Sequence, residues 1–339
     1  MVTQSDVAQL AGVSRRTVSY VVTGFAYVSE DARARVTAAI DALGYVPNRA
    51  AQRLRTGKSG LVALLVPEIG TGYFGEVAKL VVEEAALRGL GTVVAQTGGQ
   101  RAQELQALDR ILALQPDSVI ISPLGLTVDD IAHIRTRCPV ALIGEHFVGE
   151  EETCAIDNEV AAAAMVTHLV DSGRQHIAVV GMTDPPPRFA VLRRDGYQHA
   201  LDAAGLTPHE FATDGFDHAD GYRAGETIAA AIRAGVAIDA LFCVTDGIAL
   251  GAIRALHDAG LRAPEDVAVA GFDDIVEGRY ANPRLSTVAP DKRQIARRAL
   301  AAALHDTPPE LPRFELAIRE STGRERSDAP ARHDTLLSD

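Results

Sequence analysis

Between Leu61 and Ala270 the chain alternates short apolar runs with longer helical patterns. The runs are Leu61–Val66, Thr92–Ala95, Ser118–Ile121, Val140–Ile143, His176–Val180, Ala240–Val244 and Val267–Ala270. Helical patterns fill Glu76–Arg88, Ala102–Leu114, Val160–Ser172, Arg193–Ala204, Gly221–Ala234 and Gly247–Ala259. Strand, helix, strand in repetition predicts α/β architecture: doubly wound parallel sheets with helices on both faces. About seven main strands and two further returns suit two similar subdomains. Ligands of such sheets bind beyond the strand C-termini. Two subdomains therefore predict a cleft that closes on a ligand.

Composition narrows the partners. The chain has 339 residues, 47% hydrophobic and 23% charged, with a formal charge of −12. It is too hydrophobic to be disordered, and no apolar run approaches the roughly 18 residues of a membrane span. The start, MVTQSDVAQL, lacks the basic and apolar regions of a signal peptide, so a cytoplasmic location is expected. Cys138, Cys154 and Cys243 are odd in number and widely spaced, which fits buried thiols rather than disulfides or zinc. The charge is divided unevenly. Residues 1–58 hold eight Lys/Arg against four Asp/Glu, a net +4; the remainder carries 25 against 41, a net −16. A basic head on an acidic body places phosphate attraction at one end.

The head reads as three short helices. Thr3 precedes Asp6 and the apolar set Val7, Ala8, Leu10 and Ala11, an N-cap pattern. Gly12 ends this helix. Ser14 caps the next, which presents Thr17, Val18, Val21 and Val22 at helical spacing. Two short helices joined by a tight turn containing Gly make a helix-turn-helix. The first residues of a recognition helix reach base edges, and here they are Arg15, Arg16 and Thr17, followed by Ser19 and Tyr20. Arginine there can grip guanine O6 and N7. Arg15, Arg16 and Tyr20 are expected to read bases; Ser14, Thr17 and Ser29 are expected to hold phosphates. A third helix starts at Ser29 with Glu30 and Asp31 in its first turn and closes at Gly44. Then comes YVPNRAAQRLRTGK, in which Ala50, Ala51 and Leu54 would share a helical face among Arg49, Arg53 and Arg55. So short a helix orders only on a partner. A basic helix with one bulky apolar side chain, Leu54, suits a minor-groove wedge.

The string SDVAQLAGVSRRTVSYVV, followed by VSEDARARV, LGYVPNRAAQRLR and LVALLVP, resembles the lactose-repressor (LacI/GalR) family of bacterial transcription regulators. The resemblance covers essentially the whole chain. It implies a DNA-binding headpiece over 1–46, a hinge helix and linker over 47–58, and a core over 59–325 like the periplasmic sugar-binding proteins. The core would divide into an N-subdomain (about 59–155 plus 287–315) and a C-subdomain (about 156–286 plus 316–325), with a polar tail over 326–339. Thr3, Ser19, Asn48 and Ala51 join the expected DNA contacts. The partners implied are a palindromic operator, a small-molecule effector and a second copy of the chain, with no cofactor and no catalytic role. The effector is expected to be a sugar or sugar derivative, the alternative being a purine or nucleoside.

Tyr73 and Phe74 follow the first strand and offer aromatic faces at the cleft mouth. The resemblance adds Arg193, expected to open a helix, and Asp273 in AGFDD as ligand-binding groups. It also adds Phe189, Phe216, Asp157 in AIDN and Asp246 in VTD. Thr245 stands where many sugar-responsive members carry Asn, and Glu145 with His146 puts an acid and an imidazole beyond Val140–Ile143.

Two motifs fail on their surroundings. Gly70-Thr-Gly-Tyr-Phe-Gly75 satisfies G-x-G-x-x-G, but Pro67-Glu68-Ile69 separates it from the strand, and the second strand lacks the acid that holds a ribose. Gly57-Lys58-Ser59 resembles the end of a P-loop, but Gln52 occupies the first glycine position. A binding module without DNA output remains a rival, which the basic head opposes. The tail STGRERSDAPARHDTLLSD has no heptad repeat, so a dimer is expected.

Overall fold

The computed structural model describes residues 2–22, 25, 27–45, 58–144, 153–307 and 309–323. The expected hinge residues Asn48, Ala51 and Leu54, the acid Glu145 and the polar tail lie outside them. The chain divides into two compact units, Met1–Gly60 and Leu61–Asp339.

In the first unit, helices α1 (Gln4–Ala11), α2 (Arg15–Val22) and α3 (Glu30–Leu43) follow one another. Thr3 and Asp6 form a reciprocal capping box at the start of α1. Gly12 ends it with φ 62°, and Gly44 ends α3 with φ 59°, a conformation that costs glycine little. Ser14 Oγ accepts from the Thr17 amide, and Ser29 Oγ from the Ala32 amide. Ser14 and Ser29, expected at phosphates, and Thr3, expected as a DNA contact, are helix N-caps here. Val7, Ala11, Val18, Val36 and Tyr45 close a small apolar core.

The second unit holds two sheets among the described residues. The first has strand order β2-β1-β3-β4-β5, formed by Gly91–Gln96, Leu61–Val66, Ser118–Ile121, Val140–Ile143 and Thr153–Cys154. All its pairings are parallel. The second has β7 (His209–Ala212), β6 (Ile177–Met182), β8 (Ala240–Cys243), β9 (Ala268–Phe272), β10 (Ser286–Pro290) and β11 (Phe314–Ala317) side by side in that order. Its first five strands repeat the 2-1-3-4-5 order of the first sheet, and only β11 is antiparallel. The half-repeat faint in the sequence is therefore complete in topology.

Alternate residues of β1 feed two cores, because strand side chains alternate in direction. Val62, Leu64 and Val66 face helices α4 (Gly72–Leu87) and α12 (Lys292–Ala303). Ala63 and Leu65 face α5 (Arg101–Ala113) and α6 (Val128–Arg135). A larger core joins the second sheet to α7 (Asn158–Asp171), α8 (Arg188–Ala204), α9 (His218–Arg233) and α10 (Asp246–Asp258). The short helix α11 (Val276–Tyr280) completes the set.

The expected division at residue 287 differs from the topology. Strand β10 pairs with β9, so Ser286–Pro290 belongs to the second sheet. Among the described residues after β10, α12 returns to the first lobe, laying Ile295, Ala296, Ala299 and Leu300 on its sheet. The chain then goes back for β11. Strand ends agree within about two residues with the apolar runs; these runs are short and, apart from half-buried β2, almost wholly buried.

Glu104 on α5 is fully buried and accepts the amides of Leu124 at 2.7 Å and Gly125 at 2.9 Å, fixing the loop after β3. Glu104→Ala leaves two amides without their acceptor. It is expected to lower unfolding free energy by about 2–4 kcal/mol in denaturant titration, with Glu104→Gln recovering part of the loss.

Candidate functional site

Strand order reverses at β1/β3 in the first lobe and at β6/β8 in the second. Such switch points open a crevice at the strand C-termini. A cavity of about 760 Å³ lies there, lined from both lobes. The loops after β1, β3, β6 and β8 all contribute, through Tyr73, Ser122, Phe189 and Thr245 among others.

Tyr73 and Phe74 sit in the first turn of α4, edge to face with centroids 5.1 Å apart. Phe189 and Phe216 face them from the other lobe as a second pair, 5.0 Å apart. Phe189 belongs to the first turn of α8, and Phe216 precedes α9, whose Asp217 caps it.

Arg193 lies inside α8 rather than at its start, because the helix begins at Arg188, directly after Pro187. It is 8% exposed. Its Nε donates to Asn158 Oδ1 at 2.7 Å, and one Nη donates to the Val244 carbonyl at 2.6 Å and lies 3.4 Å from Asp273. The guanidinium lies 3.5 Å from the Phe272 ring centroid and 5.0 Å from that of Phe189. Nη2 takes no hydrogen bond among the described residues. The fork is therefore fixed in place with donors still available on the cavity side.

Asp273 and Asp274 follow β9 with φ of 115° and 48°, sparsely populated values for residues with a Cβ. The turn is held by Asp273 N–H to Val288 O and Asp274 N–H to Thr287 Oγ1. Arg319 Nη2 donates to Asp274 at 2.6 Å. Burial raises the Asp273 carboxyl to about 6, outweighing the nearby Arg193 and Lys292 charges.

Two expected contacts fall elsewhere. Asp157 is exposed and caps α7, its Oδ1 accepting the Val160 amide. Asp246 is fully buried below the cavity, where its oxygens accept from Thr287 Oγ1 at 2.6 Å and the Ile275 amide at 2.9 Å. Burial, reinforced by Asp273, holds its carboxyl well above the usual range. Thr245 lines the cavity and caps α10, its hydroxyl accepting from Ile248 N–H and donating to the Phe216 carbonyl.

Three residues escaped the sequence reading. Asn158 orients Arg193, although AIDN had drawn attention only to its neighbour Asp157. Glu76 on α4 and Lys292 on α12 tie the lobes together. Glu76 Oε1 accepts the Val276 amide at 2.8 Å and Oε2 accepts Lys292 Nζ at 2.6 Å, while Lys292 also donates to the Asp274 carbonyl. Gly72 belongs to this closure: a Cβ there would stand 2.9 Å from Ile275 Cβ.

On the headpiece, Arg15 and Arg16 are exposed on the first turn of α2, with Thr17, Ser19 and Tyr20 half-buried behind them. A helix-turn-helix head and a two-lobed cleft core on one chain define the class of ligand-responsive DNA-binding regulators.

The profile "Bacterial regulatory proteins, lacI family" matches residues 3–48, and "Periplasmic binding protein-like domain" matches residues 166–322. The HTH-type transcriptional regulator AscG of Escherichia coli is 32% identical over 296 residues, covering 85% of this chain and 87% of that one. The ribose operon repressor of Haemophilus influenzae is 28% identical over 307 residues, covering 90% and 91%. Among solved structures, the lac repressor dimer bound to operator and an anti-inducer superposes with a TM-score of 0.80. It is 26% identical and covers 95% of this chain and 99% of that one. The chain belongs to the LacI family of bacterial transcriptional regulators. Regulators of this family bind operator DNA and small-molecule effectors.

The raised Asp273 value carries a sign. The folded chain holds this proton more tightly than the unfolded chain between pH 4 and 6, so the contribution of this group to stability is lost as pH rises through that window. Asp273→Asn should therefore gain on the wild type as pH rises from 4 to 7, by up to about 3 kcal/mol. Thermal unfolding of both proteins across that range checks it; a difference independent of pH contradicts it.

Proposed function

We propose that this regulator is a dimeric repressor, released from a palindromic operator by a sugar or sugar derivative bound in the interlobe cleft. The observation that carries the reading is the buried Arg193–Asp273 pair between two aromatic pairs. An arginine fork beside a carboxylate supplies donors and acceptors at the spacing of neighbouring hydroxyls. Aromatic faces take the apolar faces of a ring. The name of the ribose operon repressor points the same way.

On the DNA side, Arg15 and Arg16 face base edges with Tyr20 beside them on the same helix, and Ser14, Thr17 and Ser29 lie at phosphates. Leu54, with Asn48 and Ala51, belongs to the proposed hinge that wedges the minor groove, most cheaply at a flexible pyrimidine–purine step. The division into headpiece 1–46, hinge 47–58 and core 59–325 goes with this reading. A ligand that changes the angle between lobes changes how the two hinges of a dimer meet. Typical couplings of about 1–3 kcal/mol change operator affinity by roughly 5–150-fold.

The test selects operators from a randomised palindrome pool with the full chain, in the presence and absence of sugar and nucleoside mixtures. One enriched palindrome, released by a sugar, is expected. Release by nucleosides alone would place the effector in the purine class, and no enrichment at all overturns the regulatory reading. Arg193→Ala and Asp273→Ala should abolish the response to effector with operator affinity kept. Leu54→Ala should weaken operator binding with the effector still bound.

A further inference from the structure

The two arginines that open α2 have different surroundings. Arg15 has no hydrogen bond, ion pair or ring contact among the described residues. Arg16 is braced. Its Nε donates to the Tyr20 hydroxyl at 2.6 Å, and its guanidinium carbon lies 5.3 Å from the Tyr20 ring centroid. The spacing of four residues places the two side chains on one helix face. Tyr20 in turn stacks on Phe25, with centroids 4.6 Å apart and planes at 25°. Phe25 is anchored at both backbone ends: its N–H donates to the Tyr20 carbonyl at 2.9 Å, and its carbonyl accepts Arg33 Nη2 of α3 at 3.0 Å. A continuous path thus runs from α3 through Phe25 and Tyr20 to the guanidinium of Arg16.

We propose that Tyr20 and Phe25 are positioning residues that set the base preference of Arg16, and that Arg16 reads guanine end-on through its two Nη groups. The proposal rests on the reading that α2 faces the operator bases. Guanine offers O6 and N7 to two parallel N–H donors. Arg16 can meet them through Nε and one Nη, or through both Nη groups. The Tyr20 hydroxyl occupies Nε, so the end-on fork remains; no Nη hydrogen bond of Arg16 occurs among the described residues. A free arginine loses rotamer entropy on binding, and a braced one has already lost it. Tyr20 therefore acts through Arg16 instead of reading a base itself, and Phe25 acts through Tyr20. Arg15, without a brace, is left to adapt.

The experiment uses the full chain and the operator recovered with the wild-type protein from a randomised palindrome library. Affinity is measured for all four bases at every half-site position. Arg16→Ala should flatten preference at one position. Tyr20→Phe removes the hydroxyl and keeps the stack; it should cut guanine preference at that same position about 3–10-fold, the scale of re-ordering one long side chain. Phe25→Ala should do likewise, and Phe25→Tyr, which keeps a ring there, should restore it. In the Arg16→Ala background neither Tyr20→Phe nor Phe25→Ala should change preference further. Uniform loss of affinity over all bases, or a Tyr20→Phe effect that persists without Arg16, overturns the positioning role. If Phe25→Ala unfolds the headpiece, Tyr20→Phe alone decides between the outcomes. If Arg16→Ala leaves every preference intact, the underlying assignment of Arg16 to bases fails, which is a distinguishable result.

Discussion

Charge buried where β9 ends governs the form of the cleft. Asp246, Asp273 and Asp274 are buried close together, and three carboxyl groups cannot share a dry site without compensation. Each finds a different answer. Asp246 takes a hydroxyl and an amide, and its carboxyl is pushed toward the neutral form. Asp274 takes guanidinium donors from Arg279 and Arg319. Asp273 has the longer 3.4 Å approach of Arg193 as its ion pair among the described residues, and so remains the carboxyl with capacity on the cavity side. Removing any partner would leave a charge exposed to low dielectric, so the turn, with its two positive-φ residues, is over-determined.

The same turn joins the lobes. Val276, immediately beyond it, gives its amide to Glu76, and Asp274 gives its carbonyl to Lys292. Cleft-lining Asp273 is thus one residue from the carbonyl and three from the amide that are bonded across the gap. Any displacement of Asp273 would act directly on a segment already bonded across the gap.

What the sequence disclosed follows the range of the interactions. Thr3, Gly12, Ser29 and Gly44 mark helix ends through contacts three or four residues long, and local pattern finds such signals. The central strands were legible because buried parallel strands are continuous apolar runs. Strand β7, HEFA, alternates exposure and was missed, as was the two-residue β5. The start of α8 was placed five residues late because Pro187 caps it without a side-chain hydrogen bond, leaving no cap residue to read. Tyr73, Phe74, Phe189, Arg193, Phe216, Thr245 and Asp273 do line one cavity, while Asp157 and Asp246 serve as cap and buried anchor. Glu76 and Lys292 carry no local signal, since their pairing spans 216 residues. No local pattern encodes a partner that distant.

The return of α12 to the first lobe bears on synthesis. That lobe has its five strands once Cys154 has emerged, yet Ile295, Ala296, Ala299 and Leu300 are still untranslated. Roughly 150 residues must follow, on the order of 10 s at ribosomal speed. Through that interval one face of a finished sheet is covered by α4 alone, and the strip that α12 will bury stays open beside a growing second lobe. A nascent chain in this condition is a natural client for holding chaperones, and truncated transcripts would yield aggregating products, not half-functional ones.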